Sequence, residues 1–231
     1  MKIIITKTYK EEYQIKVHNN LIKIIVLGRI FDDIKNIIEK ILLFIDNGIK
    51  FQEIDGDCIL IFNYRGLDYI YISNTSNVIL YYKNINNMLL VTDDYYNLYL
   101  KKEIIEIDKQ AILGIIQRNY IFPFNNIKLI DYGTLVSIDN NKLKILYQNC
   151  IEKDIKYNLY TFNDYVKEAK KLVIKSVEKR TKGINSKICV SMSGGIDSIG
   201  IAYCLYLLKE DFICIHWTSN KYYQVDESNF A

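Results

Sequence analysis

Proline occurs once in these 231 residues, histidine twice, and no two of the five cysteines form a Cys-x-x-Cys pair. Each scarcity excludes something. His18 and His216 have no cluster of ligating residues around them in the sequence, so no zinc site is expected. Cys58, Cys189, Cys204 and Cys214 fall in apolar runs, and the cysteines read as buried thiols of a reducing cytoplasm rather than disulfide partners. No segment reaches the ~18 apolar residues of a membrane span, and the apolar run opening the chain is too short for a signal-peptide core. A net charge of +3 is too small to argue for nucleic acid or a membrane surface as partner.

What is present is a globular composition, half hydrophobic and a quarter charged, with room for one or two domains. The abundance of Ile, Asn, Lys and Tyr is a compositional bias, which weakens any argument from a single Tyr or Asn. Residues 1–100 read as strand-rich. Runs at 3–8, 13–17 and 21–27 are apolar or alternating, the last two separated by His18-Asn19-Asn20. Asp32 or Asp33 can cap a helix over 34–45, closed by Asn47-Gly48. Hairpins are expected over 58–73 with Arg65-Gly66 as the turn, over 78–91 with a turn at 84–87, and over 134–147 with a turn at 139–141. Asp108 can cap a helix over 109–118. Helices against antiparallel strands make this part an α+β sandwich, residues 1–149.

Residues 150–161 read as a polar connector. Beyond it Phe162, Tyr165, Val166, Ala169, Leu172, Val173 and Val177 recur at helical spacing, and the helix ends at Gly183. A buried strand over 187–192, a loop Ser193-Gly194-Gly195-Ile196-Asp197-Ser198, an apolar helix over 199–208 and a second buried strand over 212–217 follow. Ile199, Ala202, Tyr203 and Tyr206 share the three- and four-residue spacings of that helix. Strand, glycine loop and helix together form a setting in which bare amides and a helix N-terminus meet an anion, with Ser193 and Ser198 adding hydroxyl donors. The plainer alternative is an ordinary turn in which Asp197 or Ser198 caps the helix. The order helix, strand, loop, helix, strand opens a doubly wound parallel sheet over residues 162–231.

The hexapeptide in this setting resembles the pyrophosphate loop of the ATP pyrophosphatases, and it lacks the lysine of the nucleoside-triphosphate P-loop. Among those families the chain is most similar to the asparagine synthetases. Asp226-Glu227-Ser228-Asn229-Phe230-Ala231 looks like their Asp-Glu-x-x-Tyr-Ala segment. Asp55-Gly56-Asp57, Leu80-Tyr81-Tyr82, Leu90-Val91-Thr92-Asp93-Asp94 and residues 127–133 fall in the order of their glutaminase-like domain.

The resemblance implies a degenerate Ntn-hydrolase-like sandwich followed by the start of an α/β ATP-pyrophosphatase domain. It implies ATP and Mg²⁺ as cofactors and an unidentified carboxylate as substrate. The carboxylate is adenylated, pyrophosphate leaves, and an amide forms. By position, Ser193, Gly194, Gly195, Asp197 and Ser198 would hold pyrophosphate, with Asp197 near the metal. Val190, Ser191, Met192 and Ile215 would flank the adenosine, although the apolar ones read equally well as core.

Two departures qualify it. Glutamine-hydrolysing members begin with a nucleophilic cysteine; here positions 1 and 2 are Met1 and Lys2, so glutamine hydrolysis is not expected and free ammonia or an amine would supply the nitrogen. The later acidic and lysine motifs of the synthetase domain do not occur, so a fragment, or a remainder encoded as a separate chain, is expected. The other reading is a non-catalytic remnant or binding subunit.

Overall fold

A computed structural model of the chain describes residues 2–4, 10–17, 20–51, 54–98, 126–149 and 161–216. The expected helix over 109–118, the His18-Asn19 turn, Trp217 and the Asp226–Ala231 segment lie outside these residues. The chain divides into two compact units, residues 1–154 and 155–231.

In the first unit the strands are β1 (Lys2–Ile4), β2 (Lys10–Val17), β3 (Asn20–Ile30), β4 (Gly56–Tyr64), β5 (Leu67–Ile72), β6 (Leu80–Ile85), β7 (Met88–Thr92), β8 (Lys128–Ile130), β9 (Thr134–Asp139) and β10 (Lys142–Gln148). Helix α1 (Ile34–Asn47) follows β3, and a single 3₁₀ turn, Tyr95–Leu98, follows β7. The strands form a six-stranded sheet in the order β10-β9-β5-β4-β3-β2 and a four-stranded one in the order β1-β7-β6-β8. All pairings are antiparallel except β1 with β7.

Alternation along β4 and β5 shows why these sequences form a central layer. Side chains two residues apart share a face. Cys58, Leu60 and Phe62, with Tyr69 and Tyr71, lie on one side, packed with Ile37, Ile38, Ile41 and Leu42 of α1. Ile59, Ile61, Ile70 and Ile72 lie on the other, packed with Leu80, Leu89, Val91 and Ile130 of the smaller sheet. A strand buried on both faces reads as an unbroken apolar run, as Cys58–Phe62 does. Beyond the smaller sheet, Leu90 packs with Leu98 and Ile127. The described layers are therefore helix, sheet, sheet.

Local signals set the ends of these elements. The Asp33 carboxylate accepts from the Asn36 amide at 3.0 Å, and Gly48, in the left-handed region, donates its N–H to the Phe44 carbonyl at 2.9 Å. The β4–β5 turn is Arg65-Gly66 and the β9–β10 turn is Asn140-Asn141, all four residues at positive φ, as twisted two-residue hairpins require. The β6–β7 turn is tighter than the four residues expected. Asn86 and Asn87 tolerate positive φ, so strand pairing continues to Ile85.

The second unit holds α2 (Phe162–Thr181), β11 (Ile188–Met192), α3 (Ile196–Leu208) and β12 (Phe212–His216). Thr161 and Asp164 form a reciprocal capping box at the start of α2, with the Thr161 hydroxyl 2.6 Å from the Asp164 carboxylate. The strands β11 and β12 are parallel, from Ile188 opposite Phe212 to Met192 opposite His216. Parallel neighbours need a crossover, and α3 supplies it. Among the described residues the core of this unit is Val177, Val190, Cys204 and Leu205, flanked by Ile174, Ile188, Met192, Ala202, Leu208 and Phe212.

Several expectations are corrected here. Ile199, Tyr203 and Tyr206 face outward, and Cys204 and Leu205 are the buried residues of α3. Cys189 and Cys214 are exposed, so only Cys58 and Cys204 fit the buried-thiol reading among the described cysteines. Phe162, Tyr165, Val166, Leu172 and Val173 of α2 are also exposed. No described helix is long and apolar enough to cross a membrane.

Candidate functional site

The loop between β11 and α3 is shaped by one residue above all. Gly194 has φ +82°, a conformation that L side chains resist and glycine does not. It turns the chain off the strand into Gly195, whose φ of −76° and ψ of 156° place it as the N-cap of α3. The helix thus begins at Ile196, three residues earlier than its apolar periodicity suggested. Ile196, Asp197 and Ser198 form its first turn, and neither Asp197 nor Ser198 caps it; the cap residue is a glycine, with no side chain to accept from the first-turn amides.

The two serines staple the loop from within. The Ser198 hydroxyl donates to the Gly195 carbonyl at 3.0 Å and accepts from the Ser193 amide at 3.3 Å. The hydroxyls of Ser193 and Ser198 lie 3.3 Å apart, and the Gly195 amide donates to the Ser193 hydroxyl at 3.3 Å. Two of the loop amides are therefore engaged, by long bonds. Among the described residues the amides of Gly194, Ile196, Asp197 and Ser198 have no acceptor. The first turn of any helix leaves such donors over, and with the helix dipole they favour an anion.

A cavity of about 410 Å³ lies beside this turn. Asp197 and Ser198 line it from α3, Arg180 and Thr181 from α2, and Val190 and Ser191 from β11. Four consecutive β11 residues, from Ile188 to Ser191, contribute, so both faces of the strand reach the cavity along the edge opposite β12. Arg180 is also tied to its own helix, donating to the Ser176 hydroxyl at 2.7 Å.

The expected adenosine-flanking residues divide between two faces. Val190 and Met192 pack toward the helices. Ser191 and its cross-strand partner Ile215 belong to the opposite face, and both are exposed. Of the nine residues expected to contact nucleotide, the cavity takes in Val190, Ser191, Asp197 and Ser198. Ser193, Gly194 and Gly195 form the loop above them, while Met192 and Ile215 do not line the cavity.

His216 was given no role by the sequence. The parallel register sets it opposite Met192, and its Nδ1–H donates to the Met192 carbonyl at 2.6 Å, at the base of the loop. Only strand pairing could have revealed it, because 24 residues separate the two in sequence.

For Mg²⁺ the loop offers one carboxylate, Asp197. No group of three or more His, Cys, Asp or Glu side chains suited to a metal occurs among the described residues. One carboxylate fits a magnesium ion carried in with phosphate oxygens, and does not make a protein-only metal cage. No protein-family model matches this sequence, and no curated protein matches it either.

Proposed function

We propose that the chain is an asparagine synthetase-like, ATP-dependent amide ligase of the cytoplasm, whose loop Ser193–Ser198 receives the pyrophosphate of ATP. One observation carries this reading: the partnerless amides of Gly194, Ile196, Asp197 and Ser198, gathered by the φ +82° turn at Gly194 and the start of α3. An oligophosphate would satisfy those donors and sit at the positive end of the helix. Donors fixed where a departing pyrophosphate gathers charge favour attack of a substrate carboxylate on the α-phosphate. Asp197 would share Mg²⁺ with the phosphates, and Val190 and Ser191 would lie toward the nucleoside. Ammonia or an amine would then displace AMP and form the amide.

In this reading the first unit is a degenerate Ntn-hydrolase-like domain and the second belongs to an ATP-pyrophosphatase domain. The helix–sheet–sheet layering and the parallel β11–β12 pair are compatible with it. Nothing at Met1 or Lys2 supplies a thiol. Cys58 is wholly buried, and burial, then the charge of Asp57, pushes its thiol up to about 12. Such a thiol is not a nucleophile at neutral pH.

A second reading, a non-catalytic binding subunit, is favoured by the Ser193 and Ser198 hydroxyls, which already occupy two loop amides. Calorimetric titration with pyrophosphate and with ATP, each with and without Mg²⁺, separates the readings. Saturable binding of both ligands, strengthened by Mg²⁺, is expected; a folded protein that binds neither would overturn the ligase reading.

A further inference from the structure

The first unit has a cavity of its own, of about 760 Å³, on the helix side of the six-stranded sheet. It opens where α1 stops covering β9 and β10. Phe44 and Ile45, near the end of α1, form one apolar wall, and Leu67 and Leu146 continue it. This volume lies within the range of small-molecule sites.

Its polar groups are ordered by strand register. Tyr69 pairs with Ser137 across β5 and β9, and Ser137 pairs with Lys144 across β9 and β10. The three therefore form one row on one face. Tyr69 and Ser137 are only 4% and 7% exposed, yet neither hydroxyl has a hydrogen-bond partner among the described residues. Neither oxygen is itself enclosed, so both open onto the cavity that the two residues line. Burial, then the charge of Asp46, raises the Tyr69 phenol, which keeps it a donor at neutral pH.

Lys144, at the end of the row, forms no ion pair among the described residues. In the next row Asp139 stands opposite Lys142, so the charged residues lining the cavity, Asp139, Lys142 and Lys144, sum to +1. One uncompensated positive charge remains, beside two free hydroxyls and an apolar wall.

We infer that this cavity is a binding site for a small monocarboxylate with an apolar body. The carboxylate would accept from Ser137, Tyr69 and the Lys144 ammonium, and the body would lie against Phe44, Leu67 and Leu146. A single net charge matches a carboxylate better than a dianionic phosphate ester. The site is independent of the Ser193–Ser198 loop, which belongs to the other unit.

Phenylacetate, benzyl alcohol and benzylamine are suitable probes, sharing a ring and differing in charge. They would be titrated into the full chain and followed by ligand-observed NMR. Phenylacetate should bind best, and Lys144→Glu should weaken it by about tenfold while leaving benzyl alcohol unchanged. Tyr69→Phe should weaken it less. Because Lys144 is exposed, its variant should fold, and circular dichroism would check this. Phenylacetate binding no better than benzylamine, binding indifferent to Lys144→Glu, or no binding of any probe would each overturn the inference and leave a water-filled groove.

Discussion

Replacing Gly194 by alanine tests whether its backbone conformation, rather than the mere smallness of the residue, makes the loop a binding site. At φ +82° an L-residue costs about 1–2 kcal/mol. The loop can bear that strain or relax to negative φ, which turns its peptide planes and amides away from the N-terminus of α3. Strain borne by the free loop lowers folding stability and leaves affinity alone, whereas strain relieved in the free loop must be restored on binding, where 1–2 kcal/mol corresponds to a factor of about 5–30 in affinity. Gly195→Ala is the matched control. Its φ of −76° suits any residue, and the new Cβ would meet only the Ser193 hydroxyl, at 3.3 Å, the end of a side chain that can rotate away. A smaller loss of affinity is expected there, since the poorer cap lowers the stability of α3 but the change demands no left-handed backbone. Calorimetry with pyrophosphate and Mg²⁺ on both variants, with circular dichroism to confirm helix content, measures the contrast. Equal losses in the two variants, or Gly194→Ala with both affinity and thermal stability unchanged, would refute the idea that the left-handed turn organises the donors.

The cysteines offer a second check. Brief alkylation of the native protein near pH 8 should label Cys189 and Cys214 and spare Cys58 and Cys204; peptide mapping that finds Cys58 labelled as fast as Cys189 would contradict its burial. Acid should weaken the start of α2. The Thr161 hydroxyl, then the Thr161 backbone N–H, donate to Asp164 and hold its carboxyl below the usual range. A depressed folded pKa stabilises above the unfolded value and is lost as pH falls through the folded one. Helicity should therefore drop on acidification more in the wild type than in Asp164→Asn, and coincident pH profiles would count against the cap.

Much of the first unit was legible because its signals are local. Asp33 and Gly48 bracket α1, and Arg65-Gly66 and Asn140-Asn141 adopt the positive φ that such pairs favour. The second unit was less legible, for a physical reason. Residues 196–208 are apolar nearly all round, so periodicity could not show which face β11 would cover, and Tyr203 and Tyr206, whose spacing helped mark the helix, are exposed. The start of α3 was misplaced because Gly195 caps it without any side-chain signal. The alternation that buries Val190 exposes Cys189 and Ile215, which neither residue's own hydrophobicity reveals. The cavity beside β9 and β10 was invisible in sequence, since it depends on pairing between strands far apart in the chain.

That long-range pairing governs how the first unit can be made. β5 bonds β4 on one side within a few residues, but its other edge waits for β9: Ile72 meets Thr134. At roughly 5–20 residues per second of synthesis, those sixty or so intervening residues keep Tyr69-Ile70-Tyr71-Ile72 with an open edge for about 3–12 seconds. The same holds at the other sheet, where Lys2 pairs with Leu90 and β1 waits for β7. A ribosome stalled between β5 and β9 would display a half-finished sheet whose central apolar strand is ready to pair with any neighbouring nascent chain.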